Sequence, residues 1–271
     1  MDVVGLMPAA GRAVRLGHLP CSKEILPIGV RTSRSGERRI CVLGEFLLDE
    51  FARGGIEHVY VIVDPAKSDI VEYFGNGERF GLRLEYVSVK SPSTVFSIDA
   101  AYPFVRGSVC ALGFPDTLFP PCDPYSRMIA TLEQTGADIV LGLFPTEHAN
   151  MVDMVRCDRS GRVESILVKP AAAPRGYERA WINAVWRPRF GDFLHDNLGP
   201  LAQRVHKSRE LYIGDVVMAA MEEGMVAYGA AVSDDACLDA GTPENYALAL
   251  TRFDSLTAPP RDFHRGADPQ V

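Results

Sequence analysis

The chain lacks a long apolar run, a cationic leader and any excess of positive charge. Its first residues, MDVVGLM, have neither the basic nor the extended apolar region of a secretory signal, and no later stretch is long enough to span a bilayer. The expectation is a cytoplasmic protein with no membrane partner. Against 35 Asp and Glu there are only 28 Lys and Arg, a formal net charge of −7, and the pI is near 5.4. A general nucleic-acid binder needs a basic face, so that class is excluded, and an anionic ligand must be met by a local positive site. The 6 cysteines form no CxxC pair and no Cys/His cluster, which argues against structural zinc. No internal repeat is visible.

What is present suits a globular α/β protein. The 271 residues are 47% hydrophobic with a mean hydropathy of +0.01, enough to bury a large core as one domain with an elaborated half. Strand-like runs, VVGLM, HVYVIVD, LRLEYVSV, VCALGF and ADIVLGLF, alternate with helix-like segments such as ICVLGEFLLDEFARGGI and SDIVEYFG. This alternation predicts a doubly wound, mainly parallel sheet with its crevice at the C-terminal strand ends. From about Val152 shorter strands follow, MVRCD, RVESILV and AWINAVW. Then come helices over roughly Phe190 to Leu198, Leu201 to Lys207 and Ile213 to Gly224, a strand MVAYGAAV, and a helix from near Pro243. The tail from Ala258 is expected to be frayed or an arm.

Behind the first strand lies PAAGRAVRLGHLPCSKEILPIG, Pro8 to Gly29. A small-residue turn after a buried strand brings backbone N–H groups close to an anion, and Arg15 and Lys23 supply the charge a polyphosphate demands. The stretch reads as a triphosphate cradle, though alone it licenses only phosphate binding. Cys21 within it is read as a small packed residue in preference to a reactive thiol. The basic segment RTSRSGERR, Arg31 to Arg39, is read as a solvated loop, with a flexible lid over a bound phosphate as the other reading.

On these residues the chain resembles the sugar-1-phosphate nucleotidyltransferases, among them the glucose-1-phosphate thymidylyltransferases, which open with a strand and then LAAGxGTRLxPxTxxxPKxLLPI. AAGRAVRL and SKEILPI keep that order. Ala13 stands at the second glycine and Val14 at the usual threonine; a methyl group at Ala13 is expected to resist positive φ and to change how the turn holds phosphates. The resemblance implies a Rossmann-like, doubly wound, mainly parallel mixed sheet with a sugar-binding elaboration in its second half. It divides one domain, 1–257, into a nucleotide half of about 1–150 and a sugar-phosphate half, 151–257, before the 258–271 tail. An acyltransferase activity, carried in some bifunctional relatives by an added C-terminal repeat domain, is not expected.

The resemblance also assigns a site. Asp116 in GFPDTLF and Asp239 in LDAGTPENY fall at the metal aspartates, and Mg²⁺ suits two carboxylates plus a phosphate oxygen. Lys169 in ILVKP falls at the EKP lysine and would steer the sugar phosphate, while Arg15 and Lys23 neutralise the triphosphate and the departing pyrophosphate. The nucleotide would be held by Leu6, Ala9, Ala10, Gly11 and Arg12, and by Ser93 and Thr94 where the family has a glycine-containing pair. Analogy alone favours dTTP or UTP. The sugar side departs more. Val168 replaces the EKP glutamate, which usually accepts hydrogen bonds from sugar hydroxyls. Asp153 stands where a glycine lines the sugar pocket, and INAVW places Asn183 in the pocket strand, with Ala184 and Trp186 at the usual glycine and tyrosine. In ELYIGD, Glu210 is expected to bond the sugar, Asp215 to start a helix, and Gly214 replaces a threonine.

The expected reaction joins a nucleoside triphosphate and a sugar 1-phosphate into an NDP-sugar and pyrophosphate. Two other readings stand: a cytidylyltransferase for a nonsugar phosphomonoester such as phosphocholine, which the missing glutamate at Val168 makes conceivable, and a nucleotide-binding regulatory protein without turnover, suggested by Ala13 and Val14. The chain is compatible with a homo-oligomer.

Overall fold

In the computed structural model of the protein, the described residues are 2–32, 38–120, 122–146, 148–205 and 209–257. The expected 258–271 tail lies outside them. Strand β1 (Val3–Pro8) is apolar and buried almost throughout. It ends in the Pro8–Gly29 segment, which passes into β2 (Pro27–Thr32) and, beyond 33–37, into β3 (Arg38–Val42). These two strands pair antiparallel, with Arg31 opposite Arg39. The basic segment is thus the end of a hairpin more than a free loop, and its central residues lie outside the described ones.

Helix α1 (Gly44–Arg53) starts two residues after β3, later than the apolar pattern from Ile40 predicts. It holds two of the arginines of the hairpin. Arg31 pairs with Asp49 and Arg39 Nη1 lies 2.6 Å from Glu45. Cations already bonded to buried or half-buried carboxylates on a core helix are poor candidates for a phosphate lid, so the lid reading is not supported for these two. Glu50 on the same helix is buried without a cation at ion-pair distance among the described residues. Burial pushes its carboxyl up to about 8, Arg53 pulling it down and Asp49 and Asp123 pushing it further up. The folded protein therefore holds a proton there that the unfolded chain releases, and stability is lost as pH rises from the ordinary glutamate range through about 8. Glu50→Gln is expected to raise the thermal midpoint at pH 8 to 9 relative to wild type and to change it little near pH 5. A melting series across that range, showing the same pH slope in both proteins, would reject a protonated Glu50.

The central sheet continues with β4 (His58–Val63), helix α2 (Ser68–Phe74), β5 (Arg83–Ser88), helices α3 (Thr94–Ala100) and α4 (Tyr102–Val105), and β6 (Val109–Leu112). β4 and β6 flank β1 in parallel, and β5 adds beyond β4. After the two-residue strand β7 (Thr117–Leu118) come helix α5 (Pro124–Thr135), β8 (Ile139–Pro145), β9 (Asp153–Cys157), β10 (Val163–Leu167) and β11 (Arg179–Trp186). β11 runs against its neighbours. Its first half pairs with β9 and its second half with β6, while β8 lines its other edge. One strand thereby joins the two halves into a nine-stranded mixed sheet. Among the described strands of that sheet only β10 and β11 run opposite to the rest, so the predicted mainly parallel, doubly wound α/β sheet is the observed fold.

Helix α6 (Pro188–Val205) corrects the expectation of two helices broken at Gly199 and Pro200. Phe190, Leu194, Leu198 and Leu201 are all buried along one face. An interior proline costs about 3 kcal/mol, whereas each buried side chain of this size contributes about 1.5–3 kcal/mol. The stripe outweighs the break. Helix α7 (Ile213–Glu222), β12 (Ala227–Ala231), β13 (Leu238–Asp239), α8 (Pro243–Thr251) and α9 (Phe253–Leu256) complete the chain. β13 pairs with β7, placing Asp239 opposite Thr117, and among the described residues no helix is long and apolar enough to cross a membrane.

Candidate active site

A cleft of about 580 Å³ opens at the C-terminal ends of β1 and β6. Arg15, Lys23, Asp116 and Asp239 line one end, and Asp153, Lys169, Glu210 and Tyr212 the other. Doubly wound sheets bind ligands in this position because strand ends and the loops between them leave an open crevice there.

The two aspartates meet through the small β7/β13 ribbon. The Ala240 N–H donates to the Asp116 carbonyl at 2.8 Å, and the Gly241 N–H donates to Asp239 Oδ1 at 2.8 Å. A side chain at Gly241 would put its Cβ 2.5 Å from Arg15 Nη2, so the glycine of LDAGT keeps the space the arginine occupies. Each cradle cation is bonded to one aspartate. Lys23 Nζ lies 2.5 Å from Asp116 Oδ2, with both side chains largely buried, and Arg15 lies 3.2 Å from the more exposed Asp239. For Lys23, burial pulls the ammonium pKa down but Asp116 and Glu24 more than offset it, leaving a net rise. The stability that this raised lysine value contributes is fully present below the ordinary lysine range and is lost as pH climbs through the raised value.

The turn that delivers these cations is anchored from behind. Lys67 Nζ donates to the Ala9 carbonyl at 2.7 Å and to both oxygens of the fully buried Glu24 at 2.9 Å. Burial pushes the Glu24 carboxyl up, and Lys67 followed by Lys23 pulls it back. Among the described residues, no backbone carbonyl accepts from the N–H groups of Ala10, Gly11 and Arg12. They remain donors for an anion. Arg12 lines an adjoining depression together with Lys23 and Lys67.

Ala13 takes a left-handed conformation, φ 52° and ψ 33°. The methyl group does not keep this residue from a positive φ, contrary to the expectation that alanine would resist it. A non-glycine residue there carries roughly 1–2 kcal/mol of strain, partly balanced by the roughly 0.5–1 kcal/mol of chain entropy that glycine gives up on folding. Ala13→Gly is accordingly expected to stabilise the fold by about 0.5–1 kcal/mol. A lowered denaturation midpoint would contradict this.

The other predicted residues separate into two groups. Thr94, Asp153, Lys169 and Glu210 line the cleft. Lys169 also has a positive φ, 41°, and its ammonium sits 3.7 Å from the centre of the Tyr212 ring. Ser93 directly precedes α3, and its buried Oγ lacks a hydrogen-bond partner. The structure does not bring Leu6, Asn183 or Trp186 into the cleft. Leu6 is a core residue whose peptide is committed to the β1 ladders, its carbonyl also accepting from Gly113 N–H at 3.1 Å. Trp186 ends β11 opposite Cys110 and Ile139, near the N-terminal ends of β6 and β8, and packs edge to face on Phe190. Because β11 is antiparallel, its last residue lies at the end of the sheet away from the crevice. Asn183 lies within the irregularity in the β11/β8 register between Trp181 and Ala184 and is buried against Gly142. Ala184 pairs with Leu112 and Leu141 within the sheet.

Sequence reasoning missed Trp181 and Ile182, which line the cleft from the same strand, as well as Tyr212, Glu24 and Lys67. Tyr212 and Glu24 belong to the ELYIGD and SKE segments, where their side chains offered a signal. Lys67 offered none. Cys21 is half-buried, and burial together with Asp69 and Glu24 raises its thiol, as suits a packing residue and not a reactive thiolate. Asp215 caps α7, accepting from the Tyr212 N–H at 2.9 Å. Among the described residues, no group of three or more His, Cys, Asp and Glu side chains is arranged to hold a metal by itself.

The fold is similar to that of known sugar nucleotide enzymes. A Bacillus anthracis protein assigned as a glucose-1-phosphate thymidylyltransferase, solved in complex with a sucrose, superposes with a TM-score of 0.73 at 16% identity, covering 92% of this chain and 94% of that one. A UDP-glucose pyrophosphorylase complexed with UDP-glucose gives 0.74 at 18% identity, with 94% and 99% covered. An apo UDP-glucose pyrophosphorylase gives 0.72 at 16%, with 94% and 98% covered. No curated protein matches the chain in sequence. The Nucleotidyl transferase family model matches residues 38–254, most of the chain, and the protein belongs to that family.

Proposed function

We propose that the protein joins a nucleoside triphosphate to a sugar 1-phosphate, releasing pyrophosphate and an NDP-sugar. The observation that carries this reading is the arrangement of charge in one cleft. Lys23 and Arg15 face Asp116 and Asp239 at one end, and Lys169 stands at the other. The first end suits a triphosphate and the second a phosphomonoester, so two anions that repel in water could be held in line.

Both aspartates can hold Mg²⁺, which favours hard oxygens and is bound by one or two carboxylates plus substrate phosphates. Its chemistry there would be to neutralise phosphate charge. The residues themselves exchange partners: Lys23 and Arg15 turn from carboxylate to phosphate oxygens, and no charge is left buried and unpaired. The N–H groups of Ala10, Gly11 and Arg12 add donors to the same anion. A sugar 1-phosphate is already ionised near neutral pH, so its oxygen attacks the α-phosphorus without a general base. Lys169 orients that oxygen and offsets the repulsion. With Leu6 committed to the sheet, the base would be read by the Ala9 to Gly11 turn and by Ser93 and Thr94. UTP or dTTP is the first choice.

The test is pyrophosphate release with four nucleoside triphosphates, each with Mg²⁺ and with glucose, galactose, mannose and glucosamine 1-phosphates and phosphocholine. Turnover with a sugar phosphate is expected. Activity confined to CTP and phosphocholine would replace the reading, and triphosphate binding with no turnover at all would reject it. A thermal-shift series identifies the base, because a ligand bound at 100 times its Kd stabilises by about 2.7 kcal/mol.

A further inference from the structure

Asp153 is more than nine-tenths buried, lines the cleft beside Lys169, and its Oδ1 has no hydrogen-bond partner. A buried carboxylate oxygen without a donor is costly, because its desolvation is not repaid by a hydrogen bond. Such an atom persists where a ligand supplies the donor. The groups that face it leave it underserved. Burial pushes its carboxyl up to about 6; the Lys169 charge and backbone N–H and, more weakly, Arg209 pull it down and Asp215 pushes it up, and Arg209 is itself held by Asp215 at 2.6 Å, so Oδ1 is still left without a partner.

Three departures from the family motif, far apart in sequence, meet at this point. A Cβ on Gly214 would fall 2.2 Å from Asp153 Oδ2 and 3.2 Å from a Val168 methyl. The positions that carry glycine, threonine and glutamate in the motif here carry Asp153, Gly214 and Val168. One carboxylate has been lost and one gained within the same pocket, and the residue between them has lost the side chain that would block the newcomer. Net charge at the site is unchanged, so nothing calls for a more cationic substrate.

We propose that Asp153 is the specificity-determining acceptor of the second substrate, taking over from position 168 and bonding an O–H or N–H donor on the organic part of the phosphomonoester from the β9 side of the cleft. The substrate class is a hydroxylated sugar phosphate, or an amino sugar phosphate offering an N–H instead. A quaternary amine such as phosphocholine has no such donor and is disfavoured. This assignment rests on the nucleotidyl-transfer reading.

The experiment compares wild type with Asp153→Asn, which keeps size and loses the charge, and with the triple variant Asp153→Gly, Val168→Glu, Gly214→Thr. The sugar phosphate turned over best in the panel above is the varied substrate. Asp153→Asn should raise KM for the sugar phosphate about ten- to hundredfold while leaving KM for the triphosphate within about twofold. The triple variant should recover most of that loss. A merely structural role would move both KM values or the melting midpoint. An unchanged KM for the sugar phosphate in Asp153→Asn, with turnover intact, would overturn the assignment of Asp153 alone. Absence of turnover in wild type would overturn the reading beneath it.

Discussion

Asp116→Asn is expected to lower turnover by about a thousandfold while the protein still folds. The side chain has two tasks. In the ligand-free molecule it balances the buried Lys23 at 2.5 Å, and in the proposed reaction it would exchange that partner for a metal bound to the triphosphate. Asparagine keeps an oxygen that can accept from Lys23, so the ammonium is not stranded; Glu24 still favours its charge. The expected stability loss is about 1–3 kcal/mol, below the roughly 3–5 kcal/mol of a pair broken outright. For hard-cation binding the amide is a far weaker substitute, since it brings no charge. Pyrophosphate release and a melting curve on the same sample separate the two effects. Activity within tenfold of wild type would sink the metal role, whatever the stability.

Lys67→Met should be the most destabilising single change near the site. Removing the ammonium leaves Glu24 fully buried with its nearest cation gone and the Ala9 carbonyl without its 2.7 Å donor. Losing one member of a buried pair costs about 3–5 kcal/mol. In a chain of this size 1 kcal/mol moves Tm by roughly 2–4 °C, so a fall of about 10 °C is expected. Glu24 should then titrate higher than in wild type, because Lys67 is the largest influence opposing its burial. The loss should therefore be smaller at pH 5 than at pH 8, and the double variant Lys67→Met, Glu24→Leu should recover part of it. The anchored turn carries Arg15 and Lys23, so affinity for the triphosphate should fall as well. A Tm within 2 °C of wild type would show that the pair does not hold the turn.

Several features are legible in the amino-acid sequence because their chemistry is local. The β-branched and apolar runs bury themselves wherever they fall, so β1, β4, β5, β6 and β8 lie where the runs place them. A glycine two residues after Asp239 and a lysine two residues before a hydrophobic run keep their meaning in a motif, and Arg15, Lys23, Asp116, Lys169 and Asp239 all line one cleft. The β2/β3 hairpin is hidden because its arginines read as a solvated loop, whereas their partners Asp49 and Glu45 lie on a helix that the segment itself cannot specify.

The sequence by itself determined the family, the α/β alternation and the order of the charged residues along the chain. Tertiary structure alone decided which of them face one another. Side-chain direction in a strand depends on register with partners remote in sequence, and an irregularity between Trp181 and Ala184 shifts that phase. Trp181, in the half of β11 nearer the crevice, reaches the cleft, while Trp186, on the same antiparallel strand, ends near the far end of the sheet. Nonlocal packing likewise brings Asp153, Val168 and Gly214 together, turning three separate departures from a motif into one rebuilt corner of the site.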